Sequence, residues 1–281
     1  MKTLVGIDNT GNYEAALNLL SRLAFDDLQL EAVHVNDSNI LHGKRSFGFA
    51  SSAEIARMDQ DDSLILGAEM TAKALGFATT RETLFGSPPK MMVEHANRLK
   101  ADIVAIGSRR RSKFNSSLFG SVGRALTISG KESLLIAKGT VPATGPISVV
   151  LTTDHSKYSD RAIKRLIAMS PNGIGRLVLL TAFDKKLVSG MPKEHQQPFL
   201  QFLEKQSKKK ARQLKDAGYP VEYRLWEGDL GEVVEAQMDE SNAELLIMGA
   251  QGHGYSDRLL IGSSALKQVV SSRHSILLLR P

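Results

Sequence analysis

The sequence predicts an α/β protein made of two tandem copies of one domain, each a parallel sheet flanked by helices. Three observations carry this. Short continuous apolar runs alternate with segments whose apolar residues recur at helical spacing. The order of these segments repeats once at a nearly constant offset. The fourth apolar run of the second copy ends in a glycine-containing loop and enters a helix at small residues, in the stretch MGAQGHGYSDRLLIGSSALK at 248–267.

The elements follow in order. KTLVGID at 2–8 reads as a short buried strand ending at an acidic residue. Residues 9–23 carry Ala15, Ala16, Leu19, Leu20 and Leu23 at helical spacing. LQLEAVHV at 28–35 is the next strand, and the polar segment 36–51 reads as a loop. A long helical pattern over 53–75 stops at Gly76, a C-cap position. Residues 77–85 alternate as a strand. Gly86, Ser87, Pro88 and Pro89 make a turn, with proline favourable at the start of the helix over 90–99. DIVAIG at 102–107 is a strand, 109–119 a polar loop, 120–129 a helix, and SLLIAK at 133–138 the fifth strand.

GTVPATGP at 139–146 has linker composition. It gives domains over 1–139 and 147–281, joined by 140–146. The pattern then restarts. ISVVLTTD at 147–154 again ends at aspartate, and 158–169 is the helix. RLVLLTA at 176–182 is the second strand, and the long helix over 197–217 is again ended by a glycine, Gly218. Strands at 221–226, 244–249 and 275–279 alternate with helices at 230–238 and 262–271. Asp8 and Asp154 are 146 residues apart, and Val35 and Ala182 are 147 apart. The pairs Gly86 and Gly228, Gly107 and Gly249, and Gly120 and Gly262 are each 142 apart. The second copy is therefore about five residues shorter, between its second and third strands.

Composition bounds the chemistry. The chain has 281 residues, 42% hydrophobic and 23% charged, as in an ordinary globular protein. It has no cysteine, so disulfides and cysteine-ligated metal centres are excluded, and a reducing cytoplasm is the expected setting. MKTLVGID reads as a strand and not a signal peptide. No apolar run approaches the ~18 residues of a membrane span, so the chain reads as soluble. The net charge is +6, but the basic residues are scattered except at Arg109-Arg110-Arg111 and Lys208-Lys209-Lys210. The second run, in KQSKKKARQLK, reads as a solvated helix face. No aromatic residues interleave with it, so nucleic-acid binding is not expected.

A strand that runs through glycines into a helix is an anion site. The N–H groups of the first helical turn and the helix dipole face the ligand, and glycine lets backbone approach phosphate. On a parallel sheet such a site lies beyond the carboxyl ends of the strands, where Asp154 would meet the loop after the fourth strand. No GxxxxGK[ST] is present. The histidines show no two-His-plus-carboxylate spacing, and no His–acid partner can be assigned to Ser263. Trp226, Phe199 and Phe202 are expected in the core or at an interface. Asp154 reads either as a ligand contact or as a cap for the helix that follows it. His155 and Lys157 are weaker ligand candidates.

Gly249, Gly252, Gly262 and Ser263 fit the pattern Gly, two residues, Gly, nine residues, Gly, Ser. With the acidic ends of both first strands, this resembles the universal stress protein family in its tandem form, over almost the whole chain. The resemblance implies two Rossmann-like domains of the adenine nucleotide alpha hydrolase-like kind, each a five-stranded parallel sheet in the order 3-2-1-4-5. It also implies ATP, ADP or AMP in the second domain, with Mg²⁺ as an accompanying ion. By the family pattern Thr152 and Ala182 would line the adenine side, with Met248 also among the nucleotide-binding residues. Asp154 would face ribose hydroxyls or Mg²⁺. Gly249, Gly252, Gly262, Ser263 and Ser264 would hold phosphates, with His253 and Arg258 in the same loop. The first half keeps Gly107, Gly120 and Ser121 but has Arg110 at the second glycine, which implies a site that has lost nucleotide, the alternative being an anion held by the side chains of Arg109-Arg110-Arg111. The SGGxDS-like loop of related ATP pyrophosphatases is missing and no general base can be named, so at most slow ATP hydrolysis is expected. In the family the last strands commonly pair domains. SLLIAK and SILLLR are therefore expected to pair within the chain, with a homodimer left open. A stress-response regulator is the first reading; a nucleotide-free interaction scaffold and a slow ATPase are the alternatives.

Overall fold

The computed structural model describes residues 1–37, 52–108, 120–252 and 260–280. The chain divides into two units: Met1–Ser21 with Asp26–Ala143, and Arg22–Phe25 with Thr144–Pro281. In the first, β1 (Lys2–Ile7), β2 (Gln29–Asn36), β3 (Ala78–Phe85), β4 (Ile103–Ser108) and β5 (Ser133–Lys138) alternate with α1 (Tyr13–Leu23), α2 (Ser52–Ala74), α3 (Pro88–Leu99) and α4 (Ser121–Ser129). The strands are parallel, in the order β3-β2-β1-β4-β5.

The second unit repeats this arrangement. Its strands are β6 (Ile147–Thr152), β7 (Ile174–Phe183), β8 (Val221–Glu227), β9 (Leu245–Gly249) and β10 (Ser275–Leu279). Its helices are α5 (Lys157–Met169), α6 (Lys185–Ser189), α7 (Lys193–Asp216), α8 (Leu230–Glu240) and α9 (Ser263–Ser271). The parallel order is β8-β7-β6-β9-β10.

Helices cover both faces of such a sheet, so its central strands must be apolar throughout. Val149, Val150 and Leu151 of β6 and Leu245, Leu246 and Ile247 of β9 are fully buried. They stand side by side in register, which fixes where the ends of the two strands fall. Helix α5 lays Ala162, Ile163, Leu166 and Met169 against this core. Both long helices end alike. Gly218 has φ +92 and Gly76 has φ +89. Gly218 N donates to Lys215 O and Tyr219 N to Leu214 O; Gly76 N donates to Lys73 O and Phe77 N to Ala72 O. These are paired Schellman closures, which need a left-handed residue at that point.

Three features depart from the sequence reading. Helix α7 starts at Lys193, ahead of Pro198. Proline reads as a start signal, but the turn before it is polar and exposed, so no apolar spacing marks it. Helix α6 is a single turn capped by Asp184, whose side chain accepts from Lys186 N at 2.7 Å. Of the two places expected for Trp226 and Phe202, the core is excluded, since they are 37% and 51% exposed. Among the described residues, no helix is long and apolar enough to cross a membrane.

Tyr219, just past the Gly218 closure, is buried, and its hydroxyl donates to the Leu166 carbonyl at 3.3 Å. Burial pushes its phenol up to about 12. From the ordinary tyrosine value of about 10 up to the raised one, the folded unit keeps a proton that the unfolded chain has released. Its contribution is therefore present at neutral pH and lost as pH climbs through that window. Tyr219→Phe should cost about 1 kcal/mol at neutral pH through the lost hydrogen bond. The gap should shrink and then reverse in urea melts carried up to strongly alkaline pH; a gap that does not change with pH would contradict the assignment.

Candidate functional site

β6 delivers Thr152 and then, past its end, Thr153 and Asp154. Thr153 is buried: its Oγ1 donates to Ser159 Oγ at 3.1 Å and accepts from His155 N at 3.2 Å. This pins the turn and leaves Asp154 exposed. Asp154 Oδ1 accepts from Ser156 N at 3.0 Å, but the helix cap is Ser156, whose Oγ accepts from Ser159 N at 3.1 Å. The capping role that the sequence left open for Asp154 thus falls to Ser156.

β9 delivers Met248 and Gly249, and the chain continues through Ala250 and Gln251 to Gly252. Gly262 N donates to Ala250 O at 2.8 Å, which draws the far end of the loop back to β9. Gly262 is the N-cap of α9, with no side-chain cap. A Cβ on Gly252 would lie 2.7 Å from Asp154 Oδ2. The carboxylate is the end of an exposed side chain, so a larger residue at 252 would have to push it aside. Gly262 carries no such constraint, since its Cβ would find nothing nearer than 3.6 Å.

A cavity of about 230 Å³ opens at this point. Thr152, Asp154, Ala182, Met248, Gly249 and Gly252 line it on the strand side, with Gly262, Ser263 and Ser264 at the helix, whereas the weaker candidates His155 and Lys157 do not. His253 and Arg258 lie outside the described residues.

A profile of the universal stress protein family matches residues 1–138 and again 148–280. The chain belongs to the universal stress protein family. It is 31% identical over 80 residues to the stress response protein NhaX of Bacillus subtilis (strain 168), covering 28% of this chain and 48% of that one. The chain thus spans about half the length of this curated relative. Two solved structures share the fold. A universal stress protein from Archaeoglobus fulgidus DSM 4304 superposes with a TM-score of 0.71 at 18% identity, over 99% of this chain and 98% of that chain. A functionally unknown protein from Pseudomonas aeruginosa PAO1 gives 0.61 at 14% identity, over 100% and 92%.

The first universal stress protein unit has its own cavity in the corresponding place, of about 500 Å³. Besides Asp8, the counterpart of Asp154, its lining carries Asp37, Asp61 and His34. His34 is buried, with Nδ1 3.0 Å from the Ile7 carbonyl and Nε2 3.4 Å from Asp61. Asn36 Nδ2 donates to the other Asp61 oxygen at 2.8 Å. Gly107, which the sequence matched to the phosphate motif, has a packing cause: a Cβ there would fall 1.9 Å from the Asn12 carbonyl oxygen. Arg109, Arg110 and Arg111 lie outside the described residues.

Sequence reasoning missed a buried polar layer behind Asp154. His155, held at φ +59, turns its ring inward. Its Nε2 lies 3.1 Å from Thr181 Oγ1 and 3.3 Å from Ser207 Oγ, and those hydroxyls are 3.2 Å apart. One helical turn beyond Ser207, Lys210 is buried and ion-paired with Asp160. This corrects the solvated-face reading of the lysine run, which holds only for the exposed Lys208 and Lys209. The missed signal was spacing: Lys210 stands on the same stripe of α7 as Leu203, Ala211 and Leu214, all buried. Burial lowers the Lys210 pKa, and the charge of Asp154 works against that shift.

Because Ser156 is the cap, Ser156→Ala should destabilise the second unit by about 1 kcal/mol. Asp154→Ala should cost clearly less. Urea midpoints of the two variants check the order, and the reverse order would return the cap to Asp154.

Proposed function

We propose that the second unit binds ATP, or ADP or AMP, and that the chain acts in stress response through this ligand-dependent state. One observation carries the reading. The cavity at the ends of β6 and β9 combines an acidic side chain, a loop with room for backbone approach, and the side-chain-free start of α9. Adenine and ribose would sit toward Thr152, Ala182 and Asp154. The phosphates would sit toward Gly252, Gly262, Ser263 and Ser264, where a helix N-terminus favours negative charge.

Among the described lining residues Asp154 is the one carboxylate. No group of three or more His, Asp and Glu able to hold a metal occurs among the described residues. Mg²⁺ would thus arrive on the phosphates, with Asp154 as its protein contact. Binding is proposed as the working state, with any hydrolysis slow and due to positioning. The cysteine-free composition supports a cytoplasmic setting.

Competition against a fluorescent ATP analogue is the direct test, with binding expected in the micromolar to low millimolar range, roughly −8 to −4 kcal/mol. No competition by ATP, ADP or AMP would end the nucleotide reading. Gly252→Arg places a side chain where Asp154 stands and should abolish binding while circular dichroism stays unchanged. Unaltered affinity in that variant would show that the loop does not hold the ligand.

A further inference from the structure

We infer that Lys210 is a positioning residue for ligand charge: its buried ammonium offsets the Asp154 carboxylate from behind, so that a polyanion can lie against that carboxylate. The inference rests on the nucleotide reading above and adds to it what makes the site tolerate phosphate.

The difficulty it addresses is electrostatic. The described lining of the cavity contains Asp154 and no lysine or arginine. A nucleotide brings several negative charges to a site whose one described charge is also negative. Like charges a few ångströms apart repel strongly once water is partly excluded. Among the described residues, a cation that offsets Asp154 has to act from behind the lining.

Lys210 is placed to do so. Helix α7 packs its Ser207–Lys210 face against the turn that carries Asp154. Ser207 reaches the ring of His155, the next residue along from Asp154. Lys210 pairs with Asp160 in the first turn of α5, the helix that Asp154 precedes. The lysine is only 6% exposed, so salt screens its field weakly. The charge of Asp154 in turn acts on Lys210. Asp160 is half exposed, so solvent screens its charge more than that of the buried lysine.

The first unit supplies a comparison. Gly76 and Gly218 close the two long helices in the same way, and counting back from each sets Ala68 against Lys210 and Ile65 against Ser207. Ala68 and Ile65 are buried. The half with Arg110 at the second glycine has apolar residues where the half with the intact motif has a cation and a hydroxyl.

The test compares wild type, Lys210→Met and Lys210→Arg for binding of ATP, AMP and adenosine by calorimetry. Lys210→Met should weaken ATP about tenfold, the size of a modest change in a nearby charge. AMP should weaken less, and adenosine by no more than about twofold. Lys210→Arg should recover most of the ATP affinity. An equal loss for ATP and adenosine would make Lys210 a packing residue and overturn the inference, as would unchanged ATP binding. If wild type binds none of the three, the nucleotide reading itself fails, and a stability cycle decides on Lys210. Urea melts of Lys210→Met, Asp154→Asn and the double variant should then be non-additive, with additivity overturning the proposed charge coupling.

Discussion

Parallel strands cannot be joined by a tight turn, so every strand in either unit must leave its carboxyl end through a crossover. The site depends on where two crossovers part. In the second unit β6 leads toward β7 on one side, while β9 lies on its other side and leads toward β10. At their carboxyl ends the chain departs in opposite directions, and nothing in the sheet fills the gap. The register of Val149, Val150 and Leu151 with Leu245, Leu246 and Ile247 then fixes how far each strand runs. Asp154 and Gly252 come together because those two ends are level, although 98 positions of sequence separate them.

The same frame occurs twice, with different contents. Both units have the strand order, the glycine closures of the long helix and a cavity at the parting of the crossovers. In the first unit the second-strand side of that cavity carries a buried His34 beside Asp61, and the long helix contributes apolar side chains. In the second, the matching region holds Thr181, Ser207, His155 and Lys210. The strand order sets where the cavity lies in each unit, and the residues one layer behind the lining differ between the two. A repeated fold can therefore offer two cavities with different polar surroundings without altering a single crossover.

Much of this was legible in the sequence because strands buried on both faces write themselves as apolar runs, and because a repeat lets each copy check the other. The lining residues were legible because they sit at strand ends and beside glycines, where chain direction fixes position. Lys210 was not. A lysine in KKK reads as solvent-facing unless its place on the apolar stripe is noticed, and two of the three lysines there do face solvent. His155 was obscure for another reason: its inward turn depends on a positive φ that a non-glycine residue seldom adopts. The first unit's cavity was hidden by the reasoning itself. A broken phosphate motif argues for the loss of one ligand, but it says nothing about the volume left at the parting of the strands.

The contact between Asp154 and the Cβ-less face of Gly252 alters how the motif is to be weighed. Taken as separate signals, an acidic strand end and a glycine-bearing loop are independent reports on ribose and on phosphate. In the structure they are one device. The carboxylate stands where any side chain at 252 would have to be, 2.7 Å from the position of its first carbon. Adding that carbon moves the carboxylate, or the loop, before any ligand is present. The glycine lets the carboxylate stand against the loop, a contact that a side chain could displace. Gly107 is the harder constraint, because its absent side chain makes room for the Asn12 backbone. Counting matched glycines in the two halves treats them as equal votes for phosphate. Packing shows that they are constraints of different origin, and that Gly252 is the one tied to the acidic group at the centre of the second site.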